Sequence, residues 1–270
     1  MAWVSYDPFR TRDFPNTTQL KAKHFFADVN VVRSASRVLF PEYWQVNALV
    51  FGLGSQIFPS HASFLLGYDK IEMYYAFRAV DQRVVPDTII RPNTPRDAEE
   101  TFDDMTLPFV AKLPRSAEGR GVWLIESKQD WREYLSRTDT LLAQEYLPID
   151  RDARVVIVGG EPISAYWRLQ STDGFHNNIA RGGLVGSAAV PTVAVDAAVT
   201  MARALGIDHG GFDVAVVGGR PYLLEFNRLF GNQAIAGGDA YVRARILAYL
   251  LGTSQDDDGG ADPPLWPRAA

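Results

Sequence analysis

The chain has 270 residues, of which 47 % are hydrophobic, and a formal net charge of −5. This composition supports a large hydrophobic core and argues against the broad positive field that recruits nucleic acid or an anionic membrane surface. The absence of cysteine excludes disulfide frameworks, thiolate nucleophiles and cysteine-ligated zinc. The N-terminus lacks a signal-peptide pattern and no stretch is long enough to cross a bilayer, so we expect a cytoplasmic protein.

The first part of the chain predicts a short α/β unit. Its predicted elements are strands at 2–6 and 46–52, a helix at 69–80 and a strand at 84–90. The segment 91–107 is polar and contains prolines, which indicates a boundary between two parts of the chain. We therefore expect an N-terminal domain over residues 1–91, ending in a linking helix.

The second part of the chain mixes short strands, helices and two hairpins. Strands are predicted at 108–112, 121–127 and 141–147, helices at 129–137, 195–206 and 239–252, and a first hairpin at 153–169. Hairpins among helices are typical of antiparallel sheets with helices on one side, an α+β fold. We expect this domain to cover residues 92–252 and the tail 253–270 to be loose.

The second hairpin carries polar side chains in an otherwise apolar sequence, GGFDVAVVGGRPYLLEFN. Glu225 and Asn227 are two residues apart and leave one face of their strand, and a three-residue loop at 218–220 would place Asp213 opposite Glu225. A set of oxygen ligands without histidine or cysteine favours magnesium or manganese over zinc. The alternative is that the carboxylates pair with an arginine such as Arg220 or Arg228.

A second feature lies upstream, in PFVAKLPRSAEGRGVWLIE. Lys112 ends an apolar strand and is followed by a loop that contains Gly119 and Gly121. Backbone N–H groups in such a loop can point at phosphate oxygens, while a lysine adds a point charge. The alternative is an ordinary hairpin loop with a surface lysine.

In this order, these segments and others between about residues 57 and 240 resemble the ATP-grasp ligases, in the branch similar to RimK and glutathione synthetase. FPSHASFLLGYDKIEMYYAF resembles the family segment that brings a lysine to ATP, LLAQEYLPIDRDAR resembles its hinge strand, and FHNNIARGG resembles a loop that reaches the phosphates. The resemblance implies an ATP-grasp fold, in which two α+β subdomains grip ATP between antiparallel sheets after a short α/β domain.

The resemblance also implies a set of site residues. The nucleotide-binding positions are Lys70, Lys112, Gly119, Gly121, Glu145, Tyr146, Leu147, Asp152 and Asn178. Glu145 to Leu147 are expected to hold the adenine edge through the backbone, and Asp152 to reach the ribose. The catalytic positions are Arg154 and Arg181, with Arg168 as an alternative for the first. The metal ligands are Asp213, Glu225 and Asn227, holding two magnesium ions with manganese as a substitute.

The implied reaction is ATP-dependent formation of an amide bond from a carboxylate and an amine of amino-acid or peptide substrates. Two alternatives stay open: a small-molecule kinase on the same fold, and a nucleotide-binding module without turnover. Family habit suggests a homo-oligomer, and no nucleic-acid or membrane partner is expected. After Asn227 the chain departs from the family pattern, and Arg228 is a candidate for binding a substrate carboxylate. His176 is left outside the catalytic set.

Overall fold

The computed structural model describes residues 2–116, 121–169, 184–186 and 188–256. Within these ranges the strands form three sheets, of which the first is parallel with the order β2-β1-β3-β4. Its strands are β1 (Trp3–Ser5), β2 (Thr17–Gln19), β3 (Arg37–Leu39) and β4 (Ile57–Phe58). The first sheet and the helices around it are the short α/β unit that the sequence predicts.

Four helices accompany this sheet along the chain. They are α1 (Val29–Ser34), α2 (Tyr43–Asn47), α3 (His61–Leu66) and α4 (Lys70–Val80), with helical turns at Ala22–His24, Ala48–Gly52 and Gln82–Val84. The helix predicted over 69–80 is α4, and it begins where it does because the side chain of Asp69 accepts a hydrogen bond from the N–H of Ile71 at 2.8 Å.

The strand predicted over 46–52 is wrong, because this segment is helical. Glu42 N–H donates to Gln45 Oε1 at 2.8 Å, and this side-chain hydrogen bond caps the N-terminus of α2. The buried residues of the segment are Gln45, Val46 and Leu49, which follow a helical and not an alternating spacing. A run of apolar residues this short does not distinguish the two periods.

The second sheet is antiparallel, with the order β5-β8-β6-β7. Its strands are β5 (Thr88–Pro92), β6 (Phe109–Lys112), β7 (Val122–Ile125) and β8 (Thr140–Glu145), and its helices are α5 (Pro95–Asp104) and α6 (Lys128–Leu135). Phe109 and Leu141 pack beneath the helices with Trp131, whereas Lys112 and Gln144, on the alternate positions, face the other way. One face of this sheet is therefore free to line a site.

The polar segment 91–107 contains the helix α5 rather than a simple linker. Thr94 caps it by accepting a hydrogen bond from the N–H of Asp97 at 3.1 Å, and Pro95 occupies the first helical position. The polar composition reflects an exposed helix face, while Ala98 and Thr101 are buried. The domain boundary at residues 91 and 92 stays a prediction, and β5 already belongs to the second sheet.

The third sheet is also antiparallel, with the order β11-β10-β9-β12-β13. Its strands are β9 (Arg151–Val158), β10 (Glu161–Leu169), β11 (Leu184–Gly186), β12 (His209–Val217) and β13 (Arg220–Asn227), and its helices are α7 (Thr192–Leu205) and α8 (Gly238–Asp256). One face packs on α7 and α4 through Val155 and Phe212, and part of the other packs on α8 and the first sheet through Val156 and Val158. Two antiparallel sheets with flanking helices match the predicted α+β fold.

The hairpin of β12 and β13 reaches its predicted pairing by a different route. Its loop has two residues, Gly218 and Gly219, both with positive φ, and not the predicted three. The register then shifts by one residue at a β-bulge, so that Val214 pairs with Leu223 but Asp213 pairs with Glu225. The bulge supplies the odd residue that the predicted loop would have supplied.

Among the described helices, none combines the length and the apolar composition that a membrane span requires.

The hydroxyl group of Tyr134 provides a test of the second sheet. It donates to the carbonyl oxygen of Lys112 at 3.0 Å and accepts from the N–H of Leu142 at 2.9 Å, deep in the core. Tyr134→Phe leaves both backbone groups buried without this partner, so we expect a loss of about 1–3 kcal/mol in the free energy of unfolding. Urea denaturation measures it. Tyr75→Phe, at a ring that is 52 % exposed, is the matched control and should leave the midpoint unchanged.

Candidate functional site between the antiparallel sheets

Charged and amide side chains share one face of the third sheet, at one end of its central strands. Asp213 of β12 pairs with Arg154 of β9 on one side and with Glu225 of β13 on the other. Asn227 lies two residues beyond Glu225 and pairs with Gly211, so it leaves the same face. The structure thus brings the three predicted metal ligands together, and their role as ligands stays a prediction.

Two arginines and two aspartates form a buried ion-pair network on this face. Arg154 Nε lies 2.5 Å from Asp213 Oδ1, Arg168 Nη2 lies 2.9 Å from Asp213 Oδ2, and Arg168 Nε lies 2.7 Å from Asp152 Oδ1. All four residues are at most 8 % exposed. Burial raises the pKa of Asp213, but the two guanidinium groups outweigh it and hold that pKa below its usual range.

This network answers the question of which arginine pairs with the carboxylates. The partners of Asp213 are Arg154 and Arg168, and neither Arg220 nor Arg228 takes that place. Arg220 instead donates to the carbonyl oxygen of Arg83, at the far end of the hairpin. The arginine alternative and the metal prediction are compatible, because Glu225 and Asn227 lie outside the network.

The backbone of Gly211 makes room for the network. A Cβ at this position would lie 2.8 Å from Cδ and Nη1 of Arg154, which is closer than side-chain carbons approach. The side chain of Arg154 therefore lies directly over Gly211, and any side chain at residue 211 would displace the guanidinium. The sequence motif GGFD combines this opening with Asp213 two residues later.

Lys70, the first residue of α4, lies beside the metal-ligand face. Its Nζ is 3.7 Å from Glu225 Oε2 and donates to the carbonyl oxygen of Ser116 at 2.5 Å. Its backbone N–H donates to the carbonyl oxygen of Pro114 at 2.9 Å. These contacts join the start of α4 to the segment that leads into the predicted phosphate loop.

Lys112 is buried at the end of β6, on the free face of the second sheet. Its Nζ donates to Gln144 Oε1 at 2.6 Å, and Gln144 Nε2 donates to Thr88 Oγ1 at 3.0 Å. Burial lowers the pKa of Lys112 from the usual 10.5 to about 8, with Glu225 opposing and Lys70 adding to the shift. An ammonium group with so little solvent around it is stabilised by any anion that enters the site.

Sequence reasoning missed Gln144, although its position carries a signal. It is a polar residue in a strand whose neighbours are buried, and it alternates with Ala143 toward the face of Lys112. Gln144 lies between Thr88 and Lys112 in the hydrogen-bond chain, so it fixes where the ammonium group lies.

A cleft opens between the second and third sheets and α4. It is lined by Lys70, Met73, Tyr74, Phe77, Val85, Lys112, Leu142, Gln144, Leu223 and Leu224. Most of these side chains are apolar and two are lysines. This combination suits a ligand with a flat apolar part and a negatively charged part.

The predicted adenine-binding segment follows β8. Glu145 N–H donates to the carbonyl oxygen of Asp87 at 2.8 Å, and Glu145 Oε1 accepts from the N–H of Asp87 at 2.8 Å. The carbonyl oxygen of Leu147 accepts from the N–H of Ile149 at 2.8 Å. In the described residues the N–H of Leu147 has no backbone acceptor, so it can donate to another partner. The adenine-binding roles of Leu147 and Tyr146 stay predictions.

The two predicted loops are described only in part. Gly121 follows the phosphate loop, and a Cβ there would lie 2.5 Å from Cβ of Ser116. The chain segments on the two sides of the loop therefore approach each other closely. Four residues singled out in the sequence lie outside the described residues: Gly119, His176, Asn178 and Arg181.

Arg228 follows the predicted metal ligands directly and is partly buried. Its guanidinium lies over the ring of Phe64, 4.4 Å from the ring centre, and burial lowers its pKa. Its carbonyl oxygen contacts Nδ1 of His209 at 2.7 Å. The hypothesis that Arg228 binds a substrate carboxylate stays a prediction.

The oxygen atoms of Asp213, Glu225 and Asn227 are chemically suited to bind a hard divalent cation. In the described ranges, no group of three histidine, aspartate or glutamate side chains is placed to hold a metal, and the predicted set contains only two carboxylates with an amide. Asn227 Nδ2 donates to Glu225 Oε1 at 3.1 Å, which leaves the amide oxygen of Asn227 for another partner. Oxygen donors of this kind are those that magnesium prefers.

The charge of the site decides how a metal could enter. Among the residues that the structure describes, its cations are Lys70, Lys112, Arg154 and Arg168, and its carboxylates are Asp152, Asp213 and Glu225. Four cations outnumber three carboxylates by one, so a free divalent ion meets net repulsion. A polyanion that arrives with the metal removes that repulsion.

The sequence profile of the RimK-like ATP-grasp domain matches residues 80–249, which is more than half of the chain. The chain belongs to this family. It is 31 % identical over 134 residues to the ribosomal protein bS6–L-glutamate ligase of Salmonella newport (strain SL254), a match that covers 47 % of this chain and 45 % of that enzyme. The chain spans only 29 to 45 % of the length of the curated relatives it matches.

Solved structures agree on the fold of this RimK-like ATP-grasp domain. A RimK domain ATP-grasp protein from Sphaerobacter thermophilus DSM 20745 is similar with a TM-score of 0.69 and 13 % identity, over 92 % of this chain and 99 % of that one. D-alanine–D-alanine ligase from Bacillus anthracis complexed with ATP is similar with a TM-score of 0.69 and 12 % identity, over 95 % and 100 %. The predicted ATP-grasp fold is confirmed.

The space above Gly211 yields a prediction about the ion-pair network. Gly211→Ala places a methyl group against the Arg154 side chain, and the forced repacking should lower the free energy of unfolding by about 1–3 kcal/mol in chemical denaturation. Gly252→Ala, in α8 with nothing within 4 Å of the new Cβ, is the matched control. It should be neutral or stabilising, since alanine favours a helix. Equal effects of the two variants would show that Arg154 does not depend on this opening.

The environment of Lys112 predicts its titration. Carbon-13 NMR of lysine Cε, with the signal assigned through Lys112→Arg, should show a pKa of about 8. The folded pKa lies below the unfolded value, so the charged form opposes folding below pH 8, and this destabilisation is relieved as the pH rises from about 8 to 10.5. A Lys112 signal that titrates near the usual value would show that the ammonium group is solvated.

Proposed function

We propose that this RimK-like ATP-grasp domain is an ATP-dependent carboxylate–amine ligase, which joins amino-acid or peptide substrates by an amide bond. One observation carries the proposal: Lys70 and Lys112, from different parts of the chain, meet beside Glu225 in a cleft between two antiparallel sheets. The names of the relatives support the reaction class, since the matched enzyme from Salmonella is a ligase for glutamate.

ATP occupies the cleft in this proposal. Its base takes the apolar part, which Leu142 and Leu224 line, and the N–H of Leu147 binds the adenine edge. Its phosphates lie against Lys70 and Lys112, whose ammonium groups lack a full carboxylate partner. The loops with Gly119, Asn178 and Arg181 bind the phosphates and complete the binding set. The ribose contact proposed for Asp152 requires this buried carboxylate to move away from Arg168, 2.7 Å from it.

Two magnesium ions, or manganese in their place, would be held by Asp213, Glu225 and Asn227 together with the ATP phosphates. When bound, the metal supplies charge neutralisation between two anions and alignment for in-line transfer. Without the metal and ATP, the described charged residues of the site carry one net positive charge, which supports entry of the metal together with ATP and not before it.

The reaction has two covalent steps. A substrate carboxylate oxygen attacks the γ-phosphorus, the bond from that phosphorus to the bridging oxygen breaks, and ADP leaves with the bonding electrons. The amine nitrogen then attacks the acyl carbon, the bond to the phosphate oxygen breaks, and phosphate leaves as the nitrogen loses a proton. Lys70 and Lys112 stabilise the charge that shifts to ADP in the first step.

Arg154 and Arg168 hold Asp213 in this scheme. Both donate to its carboxylate, so they fix its orientation and keep it ionised. The role first suggested for Arg154, neutralising an acceptor carboxylate or oxyanion, now requires it to leave Asp213. We assign that role to Arg181 and leave Arg154 as a positioning residue.

The ligase proposal is separable from its nearest rival, a small-molecule kinase. With ATP, magnesium, a panel of carboxylic amino acids and hydroxylamine, a ligase should accumulate a hydroxamate, because hydroxylamine intercepts the acyl phosphate. Mass spectrometry identifies the product. A stable phosphorylated substrate with no hydroxamate would establish kinase chemistry, and absence of any ADP release would favour a binding module.

Glu225→Gln tests the metal assignment. The change keeps the shape of the side chain but removes the charge that faces the metal and Lys70, so we expect ADP release to fall by about 100-fold or more at fixed ATP. Glu99→Gln, an exposed position on α5, is the matched control and should keep the parent rate. Parent-like turnover by Glu225→Gln would place the metal elsewhere.

A further inference from the structure

A helix with an uncharged outer face lies on the surface of the N-terminal α/β unit. It is formed by α2 and the helical turn Ala48–Gly52 that continues it, and it contains no aspartate, glutamate, lysine or arginine. Its inner side is buried, whereas Trp44 and Phe51 on its outer side are 54 % and 73 % exposed. Surface helices of globular proteins carry charged and polar residues on the side away from the core. An apolar outer face therefore indicates a surface that another molecule covers.

Neighbouring rings hold these exposed aromatic side chains in place. The ring of Trp44 meets the buried ring of Phe25 edge-on, with 5.8 Å between centres, and the ring of Phe51 meets His61 edge-on at 5.3 Å. Phe26, which is 79 % exposed, lies 6.5 Å from Trp44 and extends the same surface. We call Phe26, Trp44 and Phe51 the aromatic surface. Because its rings are already ordered by their neighbours, a partner that covers them pays little conformational entropy.

The size of the aromatic surface matches the apolar centre of a protein interface. A fully covered aromatic side chain buries about 150–250 Å², so the exposed parts of the three rings together present on the order of 400 Å². A stable interface buries about 800 Å² on each partner, of which somewhat more than half is apolar. The aromatic surface therefore supplies most of the apolar area that a stable dimer requires.

The order of side chains along the helix is self-complementary. The large residues Trp44 and Phe51 lie toward its two ends, and the smaller exposed residues Asn47 and Ala48 lie midway between them. A two-fold axis through this midpoint places a second helix antiparallel to the first, with Trp44 of each copy against Phe51 of the other. The small residues at the axis allow the two helices to approach closely.

The same axis brings Tyr43 of each copy opposite Gly52 of the other. Tyr43 is 37 % exposed, and among the described residues a Cβ on Gly52 would have no neighbour within 4 Å, so the ring meets open space. Large and small residues thus alternate in a way that one sequence satisfies on both sides of the contact. This symmetry favours a second copy of the chain over an unrelated partner.

We propose that the aromatic surface joins two copies of this chain in a symmetric dimer, whose two-fold axis passes between Asn47 and Ala48. None of the residues that line the nucleotide cleft belongs to the aromatic surface, so each copy has its own cleft. The inference uses only the exposed helix and its neighbours and does not depend on the proposed function.

Sedimentation equilibrium of the full chain, without nucleotide, tests the dimer. We expect the parent to sediment at twice the mass of one chain at micromolar concentration. Ala48→Glu places two like charges side by side at the axis and should raise the dimer dissociation constant by about 100-fold or more. Ala244→Glu, at an exposed alanine of α8, is the matched control and should dimerise as the parent does. Thermal melts show that both variants are folded.

The absence of cysteine from the chain allows a direct test of the axis. Ala48→Cys places two thiols across the axis, at the short separation that a disulfide needs, so mild oxidation should give a covalent dimer on a non-reducing gel. Ser136→Cys, exposed at the end of α6, should stay unlinked. Four outcomes would overturn the proposal: a monomeric parent, normal dimerisation by Ala48→Glu, no crosslink in Ala48→Cys, or equal crosslinking of the two cysteine variants.

Discussion

The shared carboxylate of Asp213 is the contact on which the rest of the site depends. It lies on β12, an inner strand of the third sheet, between Arg154 and Glu225, and two buried arginines converge on it. A buried carboxylate without partners would be strongly unfavourable, and so would buried arginines without a carboxylate. The residues therefore require one another, and Gly211 is required by the path of Arg154. Because each residue depends on the others, this ion-pair network is a specific feature of the fold.

The positive charge of the site links the lysines of α4 and β6 to the ion-pair network of the third sheet. Lys70 and Lys112 add to the arginines, so the protein alone carries an excess of positive charge where a divalent ion is expected to bind. The proposed nucleotide and metal would then enter most favourably together, because the phosphates neutralise the excess positive charge. The lowered pKa of Lys112 comes chiefly from burial, to which Lys70 adds and which Glu225 opposes.

The sequence predicted the parts that rest on alternation and spacing. Strand pairs, α4 and the common face of Asp213, Glu225 and Asn227 follow from periods of two and 3.6 residues. It failed where the period was ambiguous, as in the helical segment 46–52, and where pairing depends on distant chain. No local pattern shows that Arg168 joins Asp213, because the two residues meet only through the strand order of the sheet.

The bulge in β13 determines which side chains of this strand face the hydrophobic core and which face the opposite side. Leu223 and Phe226 both pack in the hydrophobic core, although an uninterrupted strand would send them to opposite sides, and the inserted residue is what lets Glu225 face the cleft. Deleting a single residue from this strand would turn every side chain after the deletion to the opposite face of the sheet, so that buried residues would become exposed and exposed residues buried. Insertions or deletions in this hairpin should therefore be tolerated only in pairs, whatever the composition of the Gly-Gly turn.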